Sequence, residues 1–149
     1  MAELRELYQE VILEHSKHPR NYRVVPDATA SVEGFNPLCG DRFTVYLKLD
    51  GDKIADLGFQ GAGCAIAKSS ASVMTQALKG KTRQEAEDLF ERFHDLVTGR
   101  AQPEDSARLG KLAVFSGVAA FPVRVKCAIL AWHALRAALT GNSEAISTE

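Results

Sequence analysis

The sequence predicts an α+β fold: a small antiparallel sheet of three strands with helices packed on it. Two observations carry this. Strand-like alternation is confined to the first 60 residues or so, where Phe43, Val45, Leu47 and Leu49 alternate with Thr44, Tyr46 and Lys48. After Gly61-Ala62-Gly63 the apolar period changes to the helical 3.6 and stays there. No repeat or internal linker divides the 149 residues, so residues 1–141 read as one domain and 142–149 as a flexible tail.

The elements follow in order. Leu4, Tyr8, Val11, Ile12 and His15 recur at helical spacing, and Pro19 ends that helix. A loop over Asn21–Asp27 leads to strands at Thr29–Phe35, Phe43–Asp50 and Lys53–Phe59, the last two joined by a tight hairpin at Asp50-Gly51-Asp52. Cys64, Ala67, Ala71, Met74 and Leu78 form a helical stripe closed by Gly80. Thr82 and Glu85 make a capping box for a helix that buries Ala86, Leu89, Phe90, Phe93, Leu96 and Val97 and stops at Gly99. Pro103 and Pro122 suit helix starts. The last helix carries Cys127, Leu130, Ala131, Ala134 and Ala138 on one stripe and ends at Gly141.

Composition narrows the function classes. A net charge of −1 and 46% hydrophobic residues argue for a packed domain and give no reason to expect nucleic acid or an anionic membrane as partner. The basic run Lys17-His18-Pro19-Arg20 reads as a solvated helix end. The acidic N-terminus MAELRELYQE lacks the pattern of a secretory signal. The longest apolar stretch, Leu112–Val123, is interrupted by Ser116, Gly117 and Pro122 and falls short of the roughly 20 residues a span needs. These features predict a soluble, cytoplasmic protein, in which three cysteines do not make a disulfide framework.

Each cysteine has a functional and an ordinary reading. Cys64 sits at a predicted helix start, where unpaired N–H groups favour a thiolate, or it is a small apolar residue heading its stripe. Cys127 lies on a buried stripe, which suits core packing, yet Arg124 and Lys126 beside it could hold an anionic centre. Cys39 stands two residues before Asp41 in NPLCGD. A Cys-x-Asp pair supplies two anionic ligands from one segment, with Gly40 free to bend between them, or it is an ordinary turn. Together Cys39, Asp41, Cys64 and Cys127 make a complete tetrahedral donor set for zinc. Their intervals, 25 residues (64 − 39) and 63 residues (127 − 64), match no short finger motif.

Weaker constellations are set aside. Gly61–Ser69 lacks the glycines of a phosphate loop. His15 and His18 share a helix face but read as surface histidines, and His133 lies off the face of Cys127.

Three motifs, NPLCGD at 36–41, GAGCAIAKSSAS at 61–72 and RVKCAILAW at 124–132, strongly resemble the iron–sulfur cluster assembly proteins of the IscU/NifU N-terminal superfamily. The resemblance runs from the first helix to Gly141 and is closer to the SufU branch. Scaffold-type members usually carry a histidine where Lys126 stands, and the interval between the second and third cysteines is longer here, with extra residues around Thr98–Val114.

That resemblance implies the IscU-like fold and a zinc-dependent sulfurtransferase, accepting persulfide sulfur from a SufS-type cysteine desulfurase and passing it to downstream cluster-assembly proteins. Carried residue by residue, it makes Cys39, Asp41, Cys64 and Cys127 the zinc ligands, with Arg124 a supporting residue beside the site. The alternative is a scaffold on which a [2Fe–2S] cluster is assembled on the same ligands. Cys39, in a loop between Pro37 and Gly40, is the cysteine expected to receive the sulfur.

Overall fold

The computed structural model describes residues 2–100, 108–141 and 146–147. The order is α1 (Ala2–Lys17), β1 (Ala30–Asn36), β2 (Asp41–Asp50), β3 (Lys53–Ala62), α2 (Ala65–Leu78), α3 (Arg83–Val97), a 3₁₀ segment (Gly110–Ala120), α4 (Pro122–Leu139) and β4 (Ile146–Ser147). Strands β1, β2 and β3 form the expected three-stranded antiparallel sheet. The two residues of β4 add to it in parallel beside Gly34 and Phe35, giving the order β3-β2-β1-β4.

The strands run slightly further than their alternation suggests. β2 begins at Asp41 and β3 continues to Ala62, because Arg42 and Phe43 pair with Ala62 and Gly61. Pairing across the ladder overrides the weak strand preference of glycine. Phe43, Val45 and Leu47 of β2 and Leu57 and Phe59 of β3 point into the core. On the opposite face Arg42, Thr44 and Tyr46 meet solvent wholly or in part.

α4 lies across β1 and β2, and α2 packs between α4 and α1. The capping box of α3 is complete: Thr82 Oγ1 accepts the Glu85 N–H at 3.1 Å, and Glu85 Oε1 accepts the Thr82 N–H at 3.0 Å. Pro122 occupies the first turn of α4. Residues 110–120 carry no 3.6-residue stripe, and they form 3₁₀ turns that bury Leu112, Val114, Phe115 and Val118. The expected helix start at Pro103 lies outside the described residues. Among the described residues no helix is long and apolar enough to cross a membrane.

His15 corrects its sequence reading. It is only 1% exposed, and its Nδ1 lies 2.7 Å from Ser72 Oγ, which also accepts the Arg20 N–H at 2.8 Å. Helical spacing placed His15 on the packed face; its polarity argued for the surface, and a buried serine on α2 resolves the conflict. Burial first, then the charges of Arg20 and Lys111 against the opposing effect of Glu14, lower its pKa from 6.5 to about 4. The folded chain therefore holds His15 neutral where the unfolded chain binds a proton. Stability is fully present above pH 6.5 and declines as pH falls towards 4. The expected loss from this group is about 2 kcal/mol after allowance for solvent screening. Urea unfolding of the wild type and of His15→Gln across that window checks it. The variant's midpoint should fall less steeply with acid, and parallel profiles would refute the assignment.

Candidate metal centre

The last residue pair of the β1–β2 ladder is Asn36 with Asp41, so Pro37-Leu38-Cys39-Gly40 is a four-residue hairpin loop. Pro37 cannot donate to a ladder and ends the pairing. The Asn36 carbonyl accepts from the Cys39 and Gly40 N–H groups at 3.3 and 2.8 Å, and Gly40 takes φ +74°. Cys39 and Asp41 therefore do not share an extended segment; the chain bends at Gly40, as the flexibility of that glycine allows. All four loop residues are exposed, while the closing Asn36 and Asp41 are 0% and 1% exposed.

α4 brings the third motif to this hairpin. Cys127 is fully buried on the helix face towards the sheet, yet its Sγ lies 3.4 Å from Cys39 Sγ. One ligand atom each from Cys39, Asp41 and Cys127 lies within 4.8 Å of the others. Sulfurs bound to one tetrahedral zinc at about 2.3 Å stand about 3.8 Å apart, so the spacing fits a shared ion. The donor chemistry fits as well. Burial, followed by hydrogen bonding to Asp41 and Cys39, pushes the Cys127 thiol far above its ordinary range. A cation taking the place of the thiol proton would reverse that penalty.

Cys64 is the N-cap of α2, at the helix start its motif indicated, and its Sγ accepts the Ala67 N–H at 3.4 Å. That sulfur lies 3.9 Å from Asp41 Oδ2 but outside the compact group of the other three. It borders the centre while serving as a helix cap. Asp41 links the two arrangements, because its Oδ1 also accepts the Cys64 backbone N–H at 2.8 Å.

Arg124 is exposed one turn before Cys127 on α4, and Lys126 is half-buried. His133 is half-buried with its ring edge-on to Phe90 at 5.3 Å, apart from the cysteines.

Two residues beside the centre escaped the sequence reading. One is Asn36, the first residue of NPLCGD. The other is Gly63, read only as part of a break between periods. A Cβ on Gly63 would lie 2.8 Å from both Asp41 Oδ1 and Phe43 Cε2, closer than carbon tolerates. The glycine lets the Asp41 carboxylate reach the start of α2. Gly63→Ala should displace that carboxylate, weaken any metal held at this centre roughly 10- to 100-fold and cost about 1–3 kcal/mol. Chelator competition and thermal melting measure the two effects; unchanged affinity would mean the carboxylate is not held by this contact.

Comparison with known proteins agrees with the three-motif resemblance. The model of the NifU-like N terminal domain matches residues 7–128. The zinc-dependent sulfurtransferase SufU of Bacillus subtilis (strain 168) is 46% identical over 134 residues, covering 90% of each chain. The iron–sulfur cluster assembly scaffold protein IscU of Streptococcus pyogenes serotype M1 is 39% identical over 145 residues, 97% of this chain and 90% of its own. A crystal structure from Fervidobacterium islandicum AW-1, described as a putative iron–sulfur cluster assembly scaffold protein for the SUF system, superposes with a TM-score of 0.83. It shares 38% identity and covers 90% of this chain and 97% of its own. With the fold, the three motifs and these likenesses in agreement, the chain belongs to the NifU-like N-terminal domain family, among its SufU-type and IscU-type members.

Proposed function

We propose that this chain is a zinc-dependent sulfur acceptor in iron–sulfur cluster assembly, with Cys39, Asp41, Cys64 and Cys127 as the zinc ligands. Its sulfur donor is a SufS-type cysteine desulfurase, and downstream cluster-assembly proteins receive what it carries. The observation that carries this reading is an exposed cysteine at a hairpin tip, its sulfur 3.4 Å from a fully buried one and beside a buried carboxylate. An accessible nucleophile and fixed ligands are thereby combined in one centre. The similarity to a relative named as a zinc-dependent sulfurtransferase supports the same reading.

Bound zinc keeps thiols deprotonated at neutral pH and adds no redox chemistry. The chain's own residues do the rest. Cys64 and Cys127 sit on helices that fix their backbone, and Asp41 is held by the Cys64 N–H. Cys39 moves with an exposed loop whose φ/ψ changes cost little at Gly40. Its thiolate attacks the outer sulfur of the desulfurase persulfide. The persulfide S–S bond breaks, a new one forms on Cys39, and the desulfurase cysteine leaves as a thiolate. No net oxidation occurs. Arg124, exposed beside Cys127, supplies positive charge near the anions that meet there.

Relatives named as scaffolds favour a second reading, in which the same residues hold a [2Fe–2S] cluster during its assembly. A coupled assay separates the two. Substoichiometric zinc-loaded protein should accelerate alanine release from cysteine by the desulfurase, and zinc-free protein should not. Failure to accelerate, together with a stable [2Fe–2S] chromophore after reconstitution, would favour the scaffold.

A further inference from the structure

Asn36 makes four contacts that connect the exposed hairpin loop to the buried α4 side of the centre. Its carbonyl closes the hairpin loop on the Cys39 and Gly40 N–H groups. Its Oδ1 accepts the Leu38 N–H at 3.1 Å, an Asx-type cap on the same loop. Its Nδ2 points the other way and donates to Cys127 Sγ at 3.7 Å. The residue is fully buried and forms the last rung of the β1–β2 ladder.

We infer that Asn36 is a positioning residue that divides labour between the two neighbouring cysteines, holding Cys127 as a fixed ligand while Cys39 is free to leave. This rests on the metal-centre reading above. The physical basis is the different treatment of the two sulfurs. An N–H donated to a thiolate stabilises its lone pairs and lowers its nucleophilicity. Cys127 receives such a donor and is enclosed; Cys39 sits on the exposed loop that the same asparagine folds but does not enclose. The side chain cannot follow the loop outward without giving up its bond to α4, so Asn36 becomes the fixed base about which residues 37–40 swing.

Two variants separate the donor from the cap. Asn36→Ser keeps an oxygen able to accept the Leu38 N–H but has no amide to offer Cys127; Asn36→Ala loses both. In cobalt-substituted protein the thiolate-to-metal charge-transfer band should move to longer wavelength in both variants. Alkylation of Cys127 in the zinc-loaded protein should rise several-fold, with Cys64 unchanged. A purely structural cap predicts that Asn36→Ser behaves as wild type in both readouts, and that result would overturn the inference.

A measurement on the unmutated chain covers the case in which the variants do not fold. In ¹¹³Cd-loaded protein one side-chain amide proton of Asn36 should exchange slowly and couple to the metal through the Cys127 sulfur. Bound cadmium with no such coupling and a freely exchanging amide would refute the inference and leave the metal centre standing. Failure to bind cadmium or zinc at all would refute the centre itself.

Discussion

On the proposed reading Cys39→Ser should abolish sulfur acceptance: acceleration of the desulfurase is expected to fall by about 100-fold or more, to background. The size follows from chemistry rather than packing. A serine hydroxyl is not ionised near neutral pH and forms no stable persulfide, so no residual route exists through that position. Folding should be untouched, because Cys39 is exposed in a loop and contributes nothing to the core. Zinc should be retained in part, since Asp41, Cys64 and Cys127 remain. The equivalent change at Cys127 should differ, losing core packing and metal together. Mass spectrometry of alkylated peptides after brief reaction with desulfurase and cysteine tests the order of events in the wild type. Added sulfur on the Cys39 peptide is the expected result. Sulfur appearing first on Cys127, with Cys39 unmodified, would reverse the assignment of acceptor and fixed ligand.

Sequence and structure agree where one local rule dominates. The Thr82/Glu85 box, Pro122 at a helix start and the alternation in β2 each reflect a neighbour-range preference. The residues of the candidate site were also legible as candidates, because thiols and a carboxylate carry chemistry in their side chains. Their convergence was not, since nothing in intervals of 25 and 63 residues fixes where β1, α2 and α4 meet; the family resemblance supplied that expectation. His15 was missed because its partner Ser72 lies 57 residues away. Asn36 and Gly63 were missed for opposite reasons. An asparagine before proline reads as a turn whether or not its amide reaches a sulfur, and a glycine reads as a break whether or not a carboxylate fills the space of its absent Cβ. Residues 110–120 gave no period to read, and their 3₁₀ turns are set by the core they cover.

The proposed four-ligand centre would depend on α2 and α4 keeping their relative position, since Cys64 caps one and Cys127 lies on the other. One side chain contributes to that through two contacts. Trp132 of α4 is fully buried and stacks on Phe93 of α3 at 4.6 Å, with 15° between the rings. Its indole N–H donates to Ser70 of α2 at 3.2 Å, and Ser70 in turn donates to the Ala128 carbonyl at 2.5 Å, one residue beyond Cys127. Trp132→Ala removes the stack, opens a cavity among fully buried neighbours and removes one of the two hydrogen bonds that Ser70 makes to α4. The expected cost is about 3–5 kcal/mol, a large part of the roughly 5–15 kcal/mol available to a domain. At this chain length that lowers the melting temperature by about 10–15 °C. Affinity of the proposed zinc centre should fall with it, because the cavity lets the stretch of α4 that carries Cys127 relax even though Ser70 still donates to the Ala128 carbonyl. Trp132→Phe keeps an aromatic ring against Phe93 but loses the N–H and part of the indole's buried volume, so its cost should be smaller, about 2–3 kcal/mol, with most of the metal affinity kept. Calorimetry of the metal-loaded proteins and chelator competition give both quantities. A melting temperature within about 3 °C of wild type for Trp132→Ala would show that the helix pair is held by something other than this side chain.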